Sequence, residues 1–370
     1  MKWLLVFIPI ALGLRFASAD PMWVFFASAL AVMPLSEIMG EATEVIAEVL
    51  GPRLGSLLNA SLNNAPEIII AGFALKNGLV DVVKASLTGS ILGNLLFGLG
   101  LAMVVGGLRH GALKFDEHFA KTQAALLTLA VFGLVVPAVF HTATETLRLE
   151  ISKEIALVLL FVYVAGLVET FRKPKTASTT TIPGASTRDK QEHGKSVGPA
   201  WLTWKVAIAL LAADTLVLAV MSEVMTDALE PTATRLGLSP VFAGIILLSL
   251  VSNIPQFSNA IGFAKENKMD LAIGVTVGAS TQVALLVGPI LVLLSPLLGH
   301  QMDLLFRHVE VVSALLAVYV ARNLTVDGQG SWLTARVVST KVPTFEESQA
   351  QIAQAVPDPA VTRAENAIKR

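Results

Sequence analysis

Glu67 is the only charged residue between positions 54 and 75, and it follows Pro66 halfway along an otherwise apolar stretch. A charge at bilayer depth costs at least about 2.5 kcal/mol on insertion scales, and such groups mark ion pathways. A proline inside a helix removes one backbone hydrogen bond and clashes with the carbonyl four residues earlier, which leaves backbone oxygens free to face a cation. The arrangement recurs in the second half of the chain, where Asn253, Pro255 and Gln256 stand as Asn64, Pro66 and Glu67 do in the first. The chemistry this suits is holding a cation through backbone and carboxylate oxygens. The plainer alternative is a proline kink with Glu67 bonded to a neighbouring side chain.

Companion elements lie in Gly89-Ser-Ile-Leu-Gly-Asn94 and Gly278-Ala-Ser-Thr-Gln282. Ser90, Asn94, Ser280 and Gln282 offer neutral oxygens to a hard cation. Their small neighbours also serve close helix packing, and packing alone is the competing explanation. Acids line the second and seventh spans: Glu37, Glu41, Glu44 and Glu48, then Glu223, Asp227 and Glu230. Spacings of three, four and seven place the first four on one helical face. Such a stripe either lines an aqueous entry path or marks a solvated helix end. Asp214, alone in the seventh span, is open to either reading.

These residues need a membrane scaffold to position them. Of the 370 residues, 54% are hydrophobic and 15% charged, with a mean hydropathy of +0.68. Soluble domains carry about 25% charged residues, so a soluble enzyme and a disordered scaffold are both excluded. The apolar runs are continuous and rich in Leu, Val, Ala and Gly, without the alternation of barrel strands. The fold class is an all-α polytopic membrane bundle of about ten transmembrane helices. The spans fall at 2–17, 22–49, 54–76, 80–108, 119–140, 152–171, 201–228, 237–264, 269–298 and 304–322.

With no cysteine, disulfides, thiolate metal sites and cysteine nucleophiles are excluded. The six histidines form no metal-ligand pair at helical spacing, and no Ser/His/Asp cluster, phosphate loop or dinucleotide fingerprint is present. No enzymatic activity and no organic cofactor are implied. A formal net charge of −1 lacks the footprint of a nucleic-acid binder, so the partners are the lipid bilayer and the transported cations. No sequence feature specifies an oligomeric state.

Lys2, the apolar stretch after it and Ala17-Ser-Ala19 imitate a cleavable signal, but the run is at the long end for one and retention is favoured. Residues 172–199 are polar and rich in Ser, Thr, Pro and Gly, as a connector is. If that connector is cytoplasmic, the same side holds all of the 27 Lys and Arg except Arg15, Lys76, Lys84, Arg148, Lys153, Arg235 and Arg307. Both termini are then cytoplasmic, and compact size with short loops suggests a bacterial inner membrane.

The halves repeat. Ser36-Glu37 within Pro34 to Met39 matches Ser222-Glu223 within Ala219 to Met225, and Asn64 to Glu67 matches Asn253 to Gln256. Asp81 with Asp270 and Gly89 with Gly278 stand at the same offset of 189 residues as Asn64 with Asn253. Helices 2 to 5 thus match helices 7 to 10. An odd number of spans separates equivalents, so the two repeats have inverted topology, as in secondary transporters with an ion site near the midplane. The organisation is an extra helix at 1–20, a first repeat at 21–171, the connector at 172–199, a second repeat at 200–322 and a polar tail at 323–370.

At these motifs the chain resembles the calcium/proton exchangers of the cation/calcium exchanger superfamily. The likeness runs through Gly40-Glu-Ala-Thr-Glu44, Leu50-Gly-Pro52, Leu58-Asn-Ala60, Asn64-Ala-Pro-Glu67 and the stretch from Gly78 to Leu96. It continues through Gly106-Gly-Leu-Arg-His110, Lys268 to Gly274, Gly278 to Gln282 and Met302-Asp-Leu304. The resemblance implies an eleven-helix antiporter that exchanges calcium for protons by alternating access, with one central glutamate from each repeat. Glu67 matches the first of these. Where the second repeat of the family reads Gly-Asn-Ala-Ala-Glu-His, this chain has Ser252-Asn-Ile-Pro-Gln-Phe257, so Gln256 stands for the second glutamate. The polar tail after Ser331-Trp332 stands where the family's eleventh helix runs.

The expected function is therefore a calcium/proton antiporter, with Glu67 and Gln256 holding the transported ion. A single central carboxylate also allows a monovalent cation/proton or sodium-coupled exchanger, which ion competition would distinguish. A non-transporting protein on an exchanger scaffold would bind ions without flux, or bind none.

Overall fold

The computed structural model describes residues 2–140, 142, 144–172, 203–325 and 329–330. The apolar runs form the helices α1 (Phe7–Phe16), α2 (Pro21–Gly51), α3 (Ala65–Lys76), α4 (Val80–His110) and α5 (Glu117–Ala138). They continue as α6 (Glu145–Arg172), α7 (Trp204–Arg235), α8 (Pro240–Lys265), α9 (Met269–Leu298) and α10 (His308–Thr325). Seven of them, α2 and α4 to α9, are long and apolar enough to cross a membrane. The others are the 10-residue α1, the 12-residue α3 and the 18-residue α10, which carries Glu310 in its first turn and Arg322 in its last. The chain is a multi-pass helical membrane protein. Most of the 172–199 connector and the tail beyond position 330 lie outside the described residues; α10 itself runs three residues into the expected tail, to Thr325.

Local chemistry sets the helix ends. Asp20 caps α2, its carboxylate accepting from the Met22 N–H at 3.0 Å, with Pro21 in the first turn where its missing N–H costs nothing. Gly51, at φ 80° and ψ 176°, breaks α2, and helical structure resumes to Leu62. Asn63 and Asn64 then interrupt it before α3 begins at Ala65. The expected continuous third span is thus two half-helices. Pro66 occupies the first turn of the second half, where a proline is tolerated, and does not kink a helix from within. Pro255 does lie inside α8, as expected.

Contacts between helix ends define two sides. On the side of the 173–202 connector, Ala42 and Val45 of α2 pack on Ala207 near the start of α7, and Lys2 pairs with Glu41 at 2.8 Å. There too His110 Nε2 meets the Lys265 carbonyl at 2.9 Å, and the Asp116 N–H donates to Asp270 at 2.7 Å. Strand β1 (Leu113–Lys114) pairs antiparallel with β2 (Gln329–Gly330). On the opposite side, ion pairs join Arg15 to Asp227 at 2.8 Å, Lys76 to Glu223 at 3.2 Å, Lys84 to Asp303 at 2.6 Å and Arg307 to Asp81 at 3.1 Å. Arg235 also pairs with Asp20. The repeat-equivalent residues Asp81 and Asp270 therefore lie on opposite sides, so the two repeats are inverted. The repeats also share a detail invisible in hydropathy: α4 carries a π-helical segment at Gly93–Gly98, and α9 one at Val283–Val287. Such segments cluster at functional sites.

The core of the bundle rests on glycine contacts between α4 and α8. A Cβ on Gly244 would run into the Val82 carbonyl oxygen and meet Ala85 Cβ at 2.8 Å, while one on Gly89 would meet the Ile245 carbonyl oxygen at 2.6 Å. Without side chains at these points, the two helices approach backbone to backbone. Gly244→Ala should cost about 1–3 kcal/mol by forcing them apart, read as a lower midpoint of thermal unfolding in detergent. Gly262→Ala in the same helix, where a Cβ meets nothing within 4 Å, should leave that midpoint unchanged or slightly raised.

Candidate functional site

The half-helix break at Asn63 and Asn64 brings the first turn of α3 into the bundle interior. Asn64 is the N-cap, and Glu67 sits in the first turn, where the free N–H groups and positive helix end favour a carboxylate. Glu67 is buried, at 6% exposure. Its Oε1 accepts from Gln256 Nε2 at 2.7 Å. These are equivalent positions of the two inverted repeats, and their meeting places the local two-fold axis between them.

A second layer of amides flanks the pair. Asn64 Nδ2 donates to Gln282 Oε1 at 2.6 Å. From the other repeat, Asn253 Nδ2 donates to Ser90 Oγ at 2.8 Å and to the Ser249 carbonyl at 2.6 Å, and Asn94 Nδ2 donates to Asn253 Oδ1 at 3.1 Å. Each asparagine thus ties its own helix to the fourth or ninth span of the other repeat. What this network leaves over is acceptor oxygen: Glu67 Oε2, Gln256 Oε1 and Asn94 Oδ1 are buried and accept no hydrogen bond. Buried oxygens without donors are costly, and a cation between Glu67 and Gln256 would satisfy two of them.

Access to this centre is one-sided. A cavity of about 740 Å³ reaches from the connector side to Glu67, Gln256 and Asn64, with Glu37, Glu41 and Glu44 along its α2 wall. Glu266 and Lys268 line it as well. Beyond Glu67, among the described residues, lies a void of about 10 Å³ bounded by Ser86, Ser90, Ser252, Leu87, Leu248 and Val287. That space holds one water at most. Three of the four acids of the α2 stripe, Glu37, Glu41 and Glu44, thus line the cavity.

Most of the expected residues converge. Glu67, Gln256, Asn64, Pro66, Pro255 and Gln282 line the cavity, and Asn253, Ser90 and Asn94 form the amide layer behind it. Two do not join them. Ser280 is buried in α9 and donates back to the Thr276 carbonyl at 3.0 Å, lining neither space. Glu223 lies on the opposite side, paired with Lys76, because an inverted repeat carries the equivalent of Glu37 to the other face. Ser252, which bounds both spaces, was passed over in the sequence because a lone hydroxyl in an apolar span has no distinguishing pattern. Among the described residues no group of three or more His, Asp or Glu converges; the centre has one carboxylate.

The match to known proteins covers both repeats. Residues 21–171 and 206–339 match the family model described as sodium/calcium exchanger protein. The chain belongs to that family. This exchanger is 38% identical over 338 residues to the Ca2+/H+ antiporter of Aphanothece halophytica, covering 89% of this chain and 90% of that one. It is 37% identical over 303 residues to the Ca2+/H+ antiporter ChaA of Bacillus subtilis, covering 81% and 84%. The solved structure of native YfkE superposes with a TM-score of 0.74 at 32% identity, covering 89% of the exchanger and 92% of that chain.

The amide layer yields a direct test. Asn253→Ala removes a donor to Ser90 and the acceptor of Asn94 at once, leaving buried polar groups unpaired. It should cost about 1–3 kcal/mol, measured as a shift in the chemical or thermal unfolding midpoint of the detergent-solubilised exchanger. An unchanged midpoint would mean that the layer does not hold the two repeats together.

Proposed function

We propose that this exchanger moves calcium in one direction and protons in the other, with Glu67 as the carboxylate that takes each in turn. The carrying observation is the pair of buried acceptors, Glu67 Oε2 and Gln256 Oε1, at the closed end of an acid-lined cavity. The names of the antiporters from Aphanothece halophytica and Bacillus subtilis support the same ion pair.

A hard divalent ion prefers oxygen ligands. Glu67 supplies the charge, while Gln256 supplies a carbonyl oxygen and Asn64 and Asn253 hold the surrounding frame, with Ser90, Asn94 and Gln282 behind. Glu37, Glu41 and Glu44 raise the local cation concentration along the path. When no cation is present, a proton on Glu67 removes the cost of an uncompensated charge inside the bilayer. Alternation between the open connector side and the sealed opposite side completes the cycle. The excess of Lys and Arg at the connector side supports a cytoplasmic placement of that side and of both termini, in a bacterial inner membrane.

One observation favours a second reading. The centre holds a single carboxylate, which balances a monovalent cation more closely than calcium. Competition of sodium or potassium against calcium uptake decides between the two.

The test is uptake of labelled calcium into proteoliposomes under an imposed pH gradient. Glu67→Gln should abolish gradient-driven uptake; persistence of flux would remove Glu67 from the centre of the mechanism. Gln256→Glu adds a second carboxylate against the ion, and should tighten calcium binding by about tenfold or more, because a close charge contact is worth upward of about 1.4 kcal/mol. Isothermal titration in detergent reads this directly, and equal or weaker affinity would place Gln256 outside the ion's coordination.

A further inference from the structure

One buried acid has no role in the scheme so far. Asp214 lies in α7 at 4% exposure, and its Oδ2 accepts no hydrogen bond. Its neighbours one turn away on α7 are Leu210, Leu211, Val217 and Leu218, all apolar.

Its depth can be read from the contacts around it. Helices α3 and α7 pack together and run in the same direction, and Lys76 at the end of α3 pairs with Glu223, twelve residues before the end of α7. Glu67 lies as many residues before Lys76 as Asp214 lies before Glu223, about 13 Å along each helix. Asp214 is therefore level with Glu67. Helix α2 runs antiparallel to α7, held by Asp20 with Arg235 at one end and by Ala42 and Val45 with Ala207 toward the other. Interpolation between those contacts sets Asp214 opposite the turn of α2 that carries Glu37.

Among the described residues no cation of the surrounding elements pairs with it, and Lys205 of α7 itself, nine residues away, stands over the Trp204 ring. α7 packs against α2, α3, α1 and the first turn of α8. Arg15 of α1 is engaged by Asp227, and Lys76 of α3 by Glu223. Lys2, before α1, is engaged by Glu41. The remaining titratable groups on these elements, Glu37, Glu44, Glu48 and Glu67, are acids, and Pro240–Ala243 carries none. An isolated ionised carboxylate in such a place is strongly disfavoured, whereas its neutral form is tolerated.

We propose that Asp214 is a second proton-binding group of the exchange cycle, protonated in the cation-free state and deprotonated when calcium occupies the centre. This rests on the calcium/proton reading of Glu67. Charge balance explains why it is needed: calcium brings two positive charges, Glu67 supplies one negative charge and Gln256 none. Loss of the Asp214 proton supplies the other, so one calcium displaces two protons. Asp214 lines neither the cavity nor the void beyond Glu67, which suits a group that trades a proton without ligating the ion.

Infrared difference spectroscopy of the full chain in lipid bilayers, with and without calcium at constant pH, tests this. In the unmodified protein calcium should abolish two protonated-carboxyl bands, and a weakly buffered titration should release two protons per calcium bound. Asp214→Asn should keep one band and release one proton, while Asp214→Glu should shift the second band and keep two. A single proton per calcium in the unmodified protein, or a band that Asp214→Asn removes but calcium leaves untouched, overturns the proposal. Absence of any calcium-dependent carboxyl change, that of Glu67 included, is the separate failure of the central site's assignment.

Discussion

Inside a bilayer a polar group must find its partner within the protein, and the centre of this exchanger is built around that constraint. Breaking a helix at depth exposes backbone groups, and placing Glu67 there adds a charge. The break is tolerable because the other repeat supplies amides at the matching level. Gln256 donates to Glu67, Gln282 accepts from Asn64, and Asn253 engages Ser90 and Asn94. The inverted repeat is thus more than a record of duplication. Its local two-fold axis brings each polar element to the complement that makes its burial affordable.

The same inversion relates the two acidic stripes. Glu37 and Glu41 of α2 correspond to Glu223 and Asp227 of α7. The first stripe lines the open cavity, with Glu37, Glu41 and Glu44 along one wall. The second is capped, Glu223 by Lys76 and Asp227 by Arg15. Exposed ion pairs of this kind contribute about 0–1 kcal/mol each, so they can be broken at little cost. The glycine contacts of α4 with α8 are of a different kind. They are backbone-to-backbone packing, which leaves no room for a side chain between the helices.

Much of this was legible in the sequence, because bilayer physics writes itself into composition. Long apolar runs, the repeated Asn-x-Pro element and the odd number of spans between equivalents were enough for the helices, the inversion and the level of Glu67. Three features were not legible. Hydropathy reads a run as one span, so the break at Asn63 and Asn64 inside residues 54–76 stayed hidden, and with it the first-turn position of Pro66. The π-helical segments of α4 and α9 leave no mark on an apolar sequence. Ser280 and Ser90 look alike on paper, yet Ser280 bonds back to its own helix while Ser90 faces Asn253; only the rotation of each helix separates them.

Replacing a central carboxylate by an amide conserves more than it removes. Two carboxylates this close cannot both ionise, and would have to share a proton across the 2.7 Å that separates Glu67 Oε1 from Gln256 Nε2. In Gln256 the amide N–H takes the place of that shared proton, permanently. The pair keeps its geometry, its single negative charge and its outward-facing acceptor oxygens. What it loses is the ability of the second position to release a proton when a cation arrives, since an amide does not titrate in this range. Calcium then meets one charge at the centre where the family pattern offers two, and the missing charge has to come from elsewhere in the bundle, or the ion has to be bound less tightly. Asp214 is buried with its Oδ2 accepting no hydrogen bond, and it is the group proposed above to supply that charge.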